Sequence, residues 1–221
     1  MVIKTISTGS EGNAYVLESS GKYIILDCGL PFEQITHSKA FPKFRDIAFV
    51  FCSHGWSHHD HDKSLKDFKR SGCDIVSYET LERSVQHKTI GIFNITTFVL
   101  PHNVDNWGII IHDTTTNEKL CYMTDFYASP RIEGIDFWLY EVNYVEKNIN
   151  AQIDKGRDFK HTNFKFHNSL ENAIFYFSNL ETRPKEITIC HLSKDNGDYK
   201  YILREMSQFA DIVKLADKEK E

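Results

Sequence analysis

The sequence predicts a single α/β domain that spans residues 1–221. Short apolar runs typical of buried strands alternate along the chain with amphipathic stretches typical of helices, as where Ile47–Cys52 is followed by Lys63–Phe68. Hydrophobic residues make up 41% of the 221 residues and aromatic residues 13%, which is enough apolar material for one large core. We therefore expect strands to provide a rigid frame and the loops between elements to carry the chemistry.

Strands are predicted where short apolar runs are bounded by residues that favour turns. In chain order they cover Val2–Ser7, Ala14–Glu18, Tyr23–Asp27, Phe49–Cys52, Asp74–Ser77, Phe93–Leu100, Trp107–Asp113, Lys119–Asp125, Phe137–Glu141, Glu186–His191 and Asp211–Leu215. The second and third strands are close in sequence, and the turn Ser19-Ser20-Gly21-Lys22 between them predicts a hairpin.

Helices are predicted in four of the remaining segments. One follows the loop after Cys52 and ends near Arg70, and the others cover Glu79–Gln86, Ser169–Leu180 and Tyr199–Phe209. The polar stretch Glu146–His167 is predicted to be the least structured part of the chain. Because it is too long for an ordinary connection, it is typical of a lid or a substrate loop.

Charge and cysteine usage narrow the class of protein. A net charge of −5 argues against a generally basic nucleic-acid binder, although bound cations can supply positive charge at a nuclease site. The five cysteines form no CxxC pair, and most lie in or beside apolar runs, which predicts buried free thiols in a reducing cytosol. We expect no secretory leader, because no h-region opens the sequence, and no apolar run reaches membrane-spanning length. We expect a cytoplasmic protein without a membrane partner.

The most informative segment is the loop Ser53–His61. It contains four of the eleven histidines and the carboxylate of Asp60 within nine residues. Imidazole and carboxylate groups together are typical ligands of zinc, manganese or iron. This loop follows a predicted strand and precedes a predicted helix, so it predicts a metal site at a strand end.

Other predicted strands also end in residues that bind metals or protons. The full set of such strand-end residues is Asp27, His54, His102, Asp125, Glu141 and His191. One such coincidence would mean little, but six predict that the strand ends converge on one site and that the sheet holds it in place.

Several short motifs occur in order along the chain. They are Thr8-Gly9-Ser10-Glu11-Gly12-Asn13, Ile25-Leu26-Asp27-Cys28-Gly29, Leu100-Pro101-His102-Asn103, Met123-Thr124-Asp125, Glu141-Val142-Asn143-Tyr144, His167-Asn168-Ser169-Leu170-Glu171-Asn172-Ala173 and His191-Leu192-Ser193-Lys194-Asp195-Asn196. Together these motifs resemble the metallo-β-lactamase fold, and in particular its small single-domain bacterial and phage branch of 5′-exonuclease-like hydrolases. Each motif is weak alone, but their order along nearly the whole chain is specific.

This resemblance implies a four-layer αβ/βα sandwich with two divalent metal ions, zinc or manganese, at one edge. His102 and histidines of the loop would bind the first ion. Asp60, His61 and His191 would bind the second ion, and Asp125 would bridge the two. Asp27 would not bind an ion directly but would orient one of the histidine ligands.

The histidine-rich loop departs from the family pattern H-x-H-x-D-H. Aligning on Asp60 and His61 puts Trp56 in the first histidine position, whereas aligning on His54 requires two additional residues before His58. Indole nitrogen only donates, so Trp56 cannot bind a metal. We expect His54 and His58 both to be ligands, with Gly55-Trp56 bulging out. If His54 cannot reach the site, the alternative is a single metal ion.

The predicted chemistry is hydrolysis of a phosphodiester by water that two metal ions activate. Asp60 or the bridging Asp125 is expected to accept a proton, and His167 or His191 to assist the leaving group. His167 is alternatively expected to contact phosphate. Glu141, Asn143 and Ser193 are expected to support the site or to contact substrate.

The expected partner is a nucleic acid or nucleotide, a homodimer is left open, and a phage-encoded protein would act in the host cytoplasm. Two alternatives remain, namely hydrolysis of a small ester, thioester or lactam, and a degenerate fold that binds a nucleotide or protein without turnover.

Overall fold

The first sheet contains five strands near the amino terminus. The computed structural model describes residues 1–55, 61–154 and 163–217. The strands are β1 (Val2–Ser7), β2 (Ala14–Ser19), β3 (Lys22–Leu26), β4 (Ile47–Cys52) and β5 (Ile75–Ser77), and they lie in the order β1-β2-β3-β4-β5. The first three strands are antiparallel, whereas β3, β4 and β5 run parallel.

The second sheet contains seven strands. They are β6 (Gln86–Ile90), β7 (Phe93–Leu100), β8 (Asn106–Asp113), β9 (Glu118–Met123), β10 (Phe137–Glu141), β11 (Glu186–Cys190) and β12 (Ile212–Leu215). Their spatial order follows the sequence from β6 to β12. Strands β6 to β9 are antiparallel, and β9 to β12 are parallel.

Five α-helices accompany the two sheets within the described residues. They are α1 (Phe32–Thr36), α2 (His61–Arg70), α3 (Glu146–Asp154), α4 (Leu170–Ser178) and α5 (Tyr199–Met206), with 3-10 turns at Phe44–Asp46 and Asn163–Phe166. Helix α4 begins after Ser169, whose side chain accepts a hydrogen bond from the backbone N–H of Asn172. Asp198 caps α5 in the same way. These caps satisfy backbone donors that the first helical turn leaves unpaired.

A continuous apolar cluster lies between the sheets. Leu17, Ile24 and Phe51 of the first sheet pack in the same cluster as Ile109 and Tyr122 of the second, and all five are fully buried. Alternate residues of each strand point to this side, as expected for strands that bury both faces. Burial of each such side chain contributes about 1.5–3 kcal/mol, so this interface is a major source of stability.

The outer face of each sheet is covered by helices. Ile35 of α1 and Phe68 of α2 pack on the first sheet, beside Val50. Phe177 of α4 and Ile202 of α5 pack on the second sheet. The order of layers is therefore helices, sheet, sheet, helices, which confirms the predicted α/β four-layer sandwich.

Two predictions about secondary structure were wrong. No helix forms over residues 79–86, where turns lead into β6 and Gln86 pairs with Thr97 of β7. This tertiary pairing overrides the local helical pattern. The stretch predicted to be the least structured contains α3, in which Ile149 is buried although its neighbours are polar. One buried side chain in a polar helix is a weak signal in sequence. The role of this stretch as a lid or substrate loop stays a prediction.

The cysteines and the membrane prediction can also be compared with the structure. All five cysteines are free thiols, and Cys28, Cys52, Cys121 and Cys190 are buried as predicted. Within residues 1–55, 61–154 and 163–217, no helix combines the length and the apolar character required to cross a bilayer.

Candidate metal centre

The candidate site lies where the parallel strands of both sheets end. Asp27 follows β3, Asp125 lies two residues after β9, and His191 follows β11. Each adopts a left-handed backbone conformation, with φ of 60°, 56° and 53° respectively. This conformation is costly for residues other than glycine, and such strain is concentrated at functional sites. Three of the five described non-glycine residues with positive φ are thus predicted site residues.

Two groups of potential metal ligands share one carboxylate. The first group contains His54, His102 and Asp125, and the second contains Asp125, His167 and His191. Within each group the ligand atoms lie within 4.8 Å of one another. The structure therefore brings together four histidines and one aspartate from distant parts of the chain, with Asp125 between the two groups.

The Asp125 carboxylate is buried among imidazoles. Its Oδ1 atom lies 3.4 Å from Nε2 of His191 and 3.7 Å from Nδ1 of His167. Burial raises the pKa of this carboxyl, but the neighbouring histidines, His191 first, outweigh that effect and lower the pKa well below its usual range. Asp125 is therefore an anion at neutral pH, as a metal ligand must be.

His54 is oriented by a chain of buried hydrogen bonds. Its Nδ1 atom lies 2.9 Å from Oγ of Ser53, and this hydroxyl donates to Oδ2 of Asp27 at 2.9 Å. Asp27 also accepts from the Ser53 N–H at 2.7 Å and from the Tyr122 hydroxyl at 2.5 Å. Because the Ser53 hydroxyl has one proton and gives it to Asp27, it must accept from the His54 Nδ1–H. The Nε2 atom of His54 is then the basic nitrogen.

His102 is oriented by a backbone carbonyl. Its Nδ1–H donates to the oxygen of Phe166 at 3.1 Å, which again makes Nε2 the basic nitrogen. Burial lowers the pKa of His102, so the ring is neutral and able to bind a metal at neutral pH.

His191 is held from the loop after β1. Its backbone N–H donates to Oγ1 of Thr8 at 2.9 Å, and its Nδ1 atom lies 3.0 Å from Nδ2 of Asn13. Asn13 Nδ2 also donates to Oγ1 of Thr124 at 3.2 Å. The Asn13 side chain therefore connects the first sheet to both His191 and the turn that contains Asp125.

His167 pairs with a buried glutamate. Its Nδ1 atom lies 2.7 Å from Oε1 of Glu141, whose side chain has no exposed surface. Burial lowers the pKa of His167, but the charges of Glu141 and Asp125 and the Glu141 hydrogen bond more than offset this and raise it to about 9. The second oxygen of Glu141 accepts from the backbone N–H of Asp125 and, at 3.4 Å, from that of Phe126. Glu141 thus fixes both the histidine and the aspartate turn.

Asn143 and Ser193 support the backbone around this site. The Asn143 side chain donates to the carbonyl oxygen of His191 at 2.7 Å, and its backbone oxygen accepts from the Ser193 N–H at 2.8 Å. The Ser193 hydroxyl accepts from the Asn196 N–H at 3.2 Å within a local turn. Both residues lie next to the ligand cluster, and these contacts join β10 to the segment after β11.

Part of the predicted ligand set lies outside the described residues. His58 and Asp60 fall there, as does Trp56. His61 is the first residue of α2, but its side chain is likewise outside the described set. Their roles as ligands, and that of Asp60 in catalysis, remain predictions from the sequence.

Three supporting residues were not assigned a role from the sequence. They are Asn13, Ser53 and Asn106, whose amide donates to the carbonyl oxygens of Thr124 and Asp125 at 2.8 and 2.6 Å. Asn13 lies in a motif that the sequence resemblance includes. Ser53 and Asn106 carried no local signal, since the Asp27 carboxylate that holds Ser53 and the carbonyl groups that hold Asn106 are distant in sequence.

The donor set suits a divalent transition metal. In His54 and His102 the Nδ1 atom is engaged in a hydrogen bond, so Nε2 is the nitrogen that could bind a metal ion. The ionised carboxylate of Asp125 is shared by the two ligand groups. Nitrogen and carboxylate ligands of this kind bind zinc or manganese, and hydrogen bonds behind the ligands are typical of metal sites.

Comparison with known proteins agrees with this architecture. The chain matches no family model. It is 24% identical to exodeoxyribonuclease WalJ of Streptococcus pneumoniae in an alignment 247 residues long. The alignment covers 96% of this chain and 87% of WalJ. The metallo-beta-lactamase fold protein YhfI from Bacillus subtilis superposes on this chain with a TM-score of 0.70 at 16% identity. The match covers 99% of this chain and 97% of the YhfI chain. Human tRNase Z, short form, has a TM-score of 0.61 at 16% identity, with the same coverage.

The chain therefore has the metallo-β-lactamase fold, as its motifs predicted. Two face-to-face sheets flanked by helices and a cluster of histidines and aspartate at one edge define this class of structure.

Proposed function

We propose that this protein is a metal-dependent hydrolase that cleaves phosphodiester bonds in nucleic acid. The observation that carries the proposal is the pair of ligand groups that share Asp125. A carboxylate between two sets of imidazoles is the arrangement expected for two metal ions that act together on one phosphate.

The similar proteins support this substrate class. WalJ is named an exodeoxyribonuclease, and human tRNase Z is named for tRNA. Both names point to nucleic acid, which agrees with the phosphodiester chemistry that the ligand groups favour.

The residues that would hold the metal ions follow from the geometry and from the sequence. His54, His102 and Asp125 would hold one ion, while Asp125 and His191 would hold the second. His58, Asp60 and His61 complete the proposed set from the sequence. Divalent zinc or manganese would supply a nucleophile at neutral pH and polarise the phosphate.

His167 is proposed to donate a proton to the leaving oxygen. Its Nδ1 atom is engaged by Glu141 at 2.7 Å, and although burial lowers the pKa of the ring, this carboxylate raises it to about 9 in the metal-free protein. A charged imidazole beside the ligand cluster can release this proton to a departing alkoxide. Asp60 is proposed to accept the proton of the attacking water.

The test combines metal analysis with a cleavage assay. The purified protein should contain close to two equivalents of zinc or manganese, measured by elemental analysis, and should degrade labelled single-stranded or double-stranded DNA or RNA. Asp125→Asn and His191→Ala should lower the metal content and abolish most cleavage. His87→Ala is the control, because His87 is an exposed residue on the edge strand β6.

The proposal fails if the folded protein binds no divalent ion and added manganese restores no cleavage. Cleavage of a thioester or lactam but of no phosphodiester would assign the metal site to another substrate.

A further inference from the structure

A pocket beside the metal site differs from it in chemistry. It lies between the segment after Asp125 and helix α4, and it has a volume of about 320 Å³. Its lining includes Tyr127, Ser129, Tyr140, Asn168, Asn172 and Phe175. A volume near the lower end of the range for small-molecule sites, roughly 300–1,000 Å³, suits one planar ring system rather than an extended chain.

Residues that line the pocket adjoin residues of the metal site on two sides. Asn168 follows His167 directly, and its amide donates to the carbonyl oxygen of Glu141 at 2.9 Å. On the other side, Tyr127 lies two residues after Asp125, and its backbone N–H donates to the oxygen of Pro101 at 3.4 Å. A group in the pocket would therefore lie near whatever is bound at Asp125.

Aromatic rings extend from the metal site towards the pocket. The ring centroids of His102 and Phe166 are 6.1 Å apart, and those of Phe166 and Tyr127 are 6.4 Å apart. Tyr127 is 45% exposed and Phe175 is 73% exposed. Exposed aromatic rings beside a phosphodiester site are typical of surfaces on which unpaired bases stack.

Most polar groups that line the pocket are neutral. Asn172 supplies an exposed amide, which offers both donors and an acceptor. The Asn168 amide is held by the carbonyl oxygen of Glu141, and the buried Tyr140 hydroxyl interacts with the side chains of Ser129 and Asn168. Among the lining residues, Arg131 is the one charged side chain, and it pairs with Glu133 at 2.7 Å and Glu181 at 3.1 Å. A phosphate would require a cation here, whereas a base edge requires amide and hydroxyl groups.

We propose that this pocket binds one unpaired nucleobase of the strand whose phosphodiester lies at the Asp125 site. This inference rests on the proposed function, and it specifies the substrate as a single-stranded or frayed end. A base within a duplex is stacked and paired, so it would have to leave the helix to enter the pocket.

The test uses two substrates of equal length and charge. One is an oligothymidylate, and the other is a chain of abasic deoxyribose phosphate units. We expect Phe175→Ala and Tyr127→Ala each to raise KM for the oligothymidylate roughly tenfold and to change cleavage of the abasic chain less than twofold. Tyr127→Trp should restore the wild-type KM, because it retains a stacking ring. Phe44→Ala is the matched control, since Phe44 is a partly exposed phenylalanine (39%) whose ring contacts Phe32 and Phe41 instead of the pocket.

Binding measured in EDTA separates this inference from the proposed function. The wild-type protein should bind the oligothymidylate more tightly than the abasic chain at one fixed salt concentration, and Phe175→Ala should remove the difference. Equal affinity of the wild-type protein for both chains would overturn the base pocket even if cleavage is observed. Tighter binding of the oligothymidylate without cleavage of any nucleic acid would overturn the nuclease function and leave the pocket intact.

Discussion

The Nδ1 atom of His167 lies 2.7 Å from Oε1 of Glu141, a carboxylate that is completely buried. The same glutamate receives the backbone N–H of Asp125 through its other oxygen. Glu141 therefore couples the proton on His167 to the position of the carboxylate shared by the two ligand groups. This coupling makes the pair a direct target for measurement.

Glu141→Gln should remove a pH dependence of stability in metal-free protein. The pKa of His167 is raised from 6.5 to about 9, so its stabilising contribution is complete below about pH 6.5 and is lost as the pH rises through 9. The loss is on the order of 3 kcal/mol by linkage. In the variant, the free energy of unfolding in EDTA should be nearly flat between pH 6.5 and 9.

An NMR titration of the imidazole ring provides an independent check of this pair. The pKa of His167 should fall towards 6.5 in Glu141→Gln. An unchanged pKa in the variant would show that Glu141 is not the main cause of the shift.

Asp27→Asn should weaken metal binding without unfolding the protein. Asp27 accepts the Ser53 hydroxyl that orients His54, and loss of its charge would allow Ser53 and the imidazole to rotate. Removal of such a supporting group typically lowers metal affinity 10–100-fold. Titration of zinc against a competing chelator measures this affinity.

Asp113→Asn is the matched control for Asp27→Asn. Asp113 is also a buried carboxylate, and it accepts hydroxyl hydrogen bonds from Ser19 and Ser20. It ends β8, whereas Asn106, which contacts the Asp125 turn, begins the strand. We expect its substitution to lower stability and to leave metal affinity unchanged. Equal losses of affinity in both variants would refute a specific role for Asp27.

Gly12→Ala should be much more destabilising than Gly21→Ala. Both glycines have positive φ, of 123° and 72° respectively. A Cβ atom at Gly12 would overlap the carbonyl oxygen of Gly29, whereas nothing lies within 4 Å of a Cβ atom at Gly21. We expect roughly 1 kcal/mol for Gly21→Ala from backbone strain and at least about 2 kcal/mol for Gly12→Ala.

Urea unfolding measures both glycine variants. Gly12→Ala should also lower metal affinity, because Gly12 precedes Asn13, whose side chain contacts His191. Similar unfolding free energies for the two variants would contradict the close approach of Gly12 to Gly29.

Local sequence pattern was sufficient for most strands. The predicted bounds of Phe93–Leu100 and Phe137–Glu141 agree with the structure, because apolar runs bounded by polar or turn residues are properties of short segments. The helix predicted over 79–86 and the lack of regular structure predicted over 146–167 were wrong. In the first segment β-pairing with a distant strand decides the conformation, and in the second one buried isoleucine stabilises a polar helix.

By itself, the sequence determined which residue types stand at the strand ends, and thus that Asp27, His102, Asp125 and His191 were candidates for one site. Only the tertiary structure decided which atoms face each other. It joins Asn13 to His191, Ser53 to His54 and Glu141 to His167, and it places an aromatic pocket next to them. The physical reason is that the local sequence places a residue at a strand end but does not specify its hydrogen-bond partner. Most of these partners lie on distant segments, which come within reach only when the two sheets pack together.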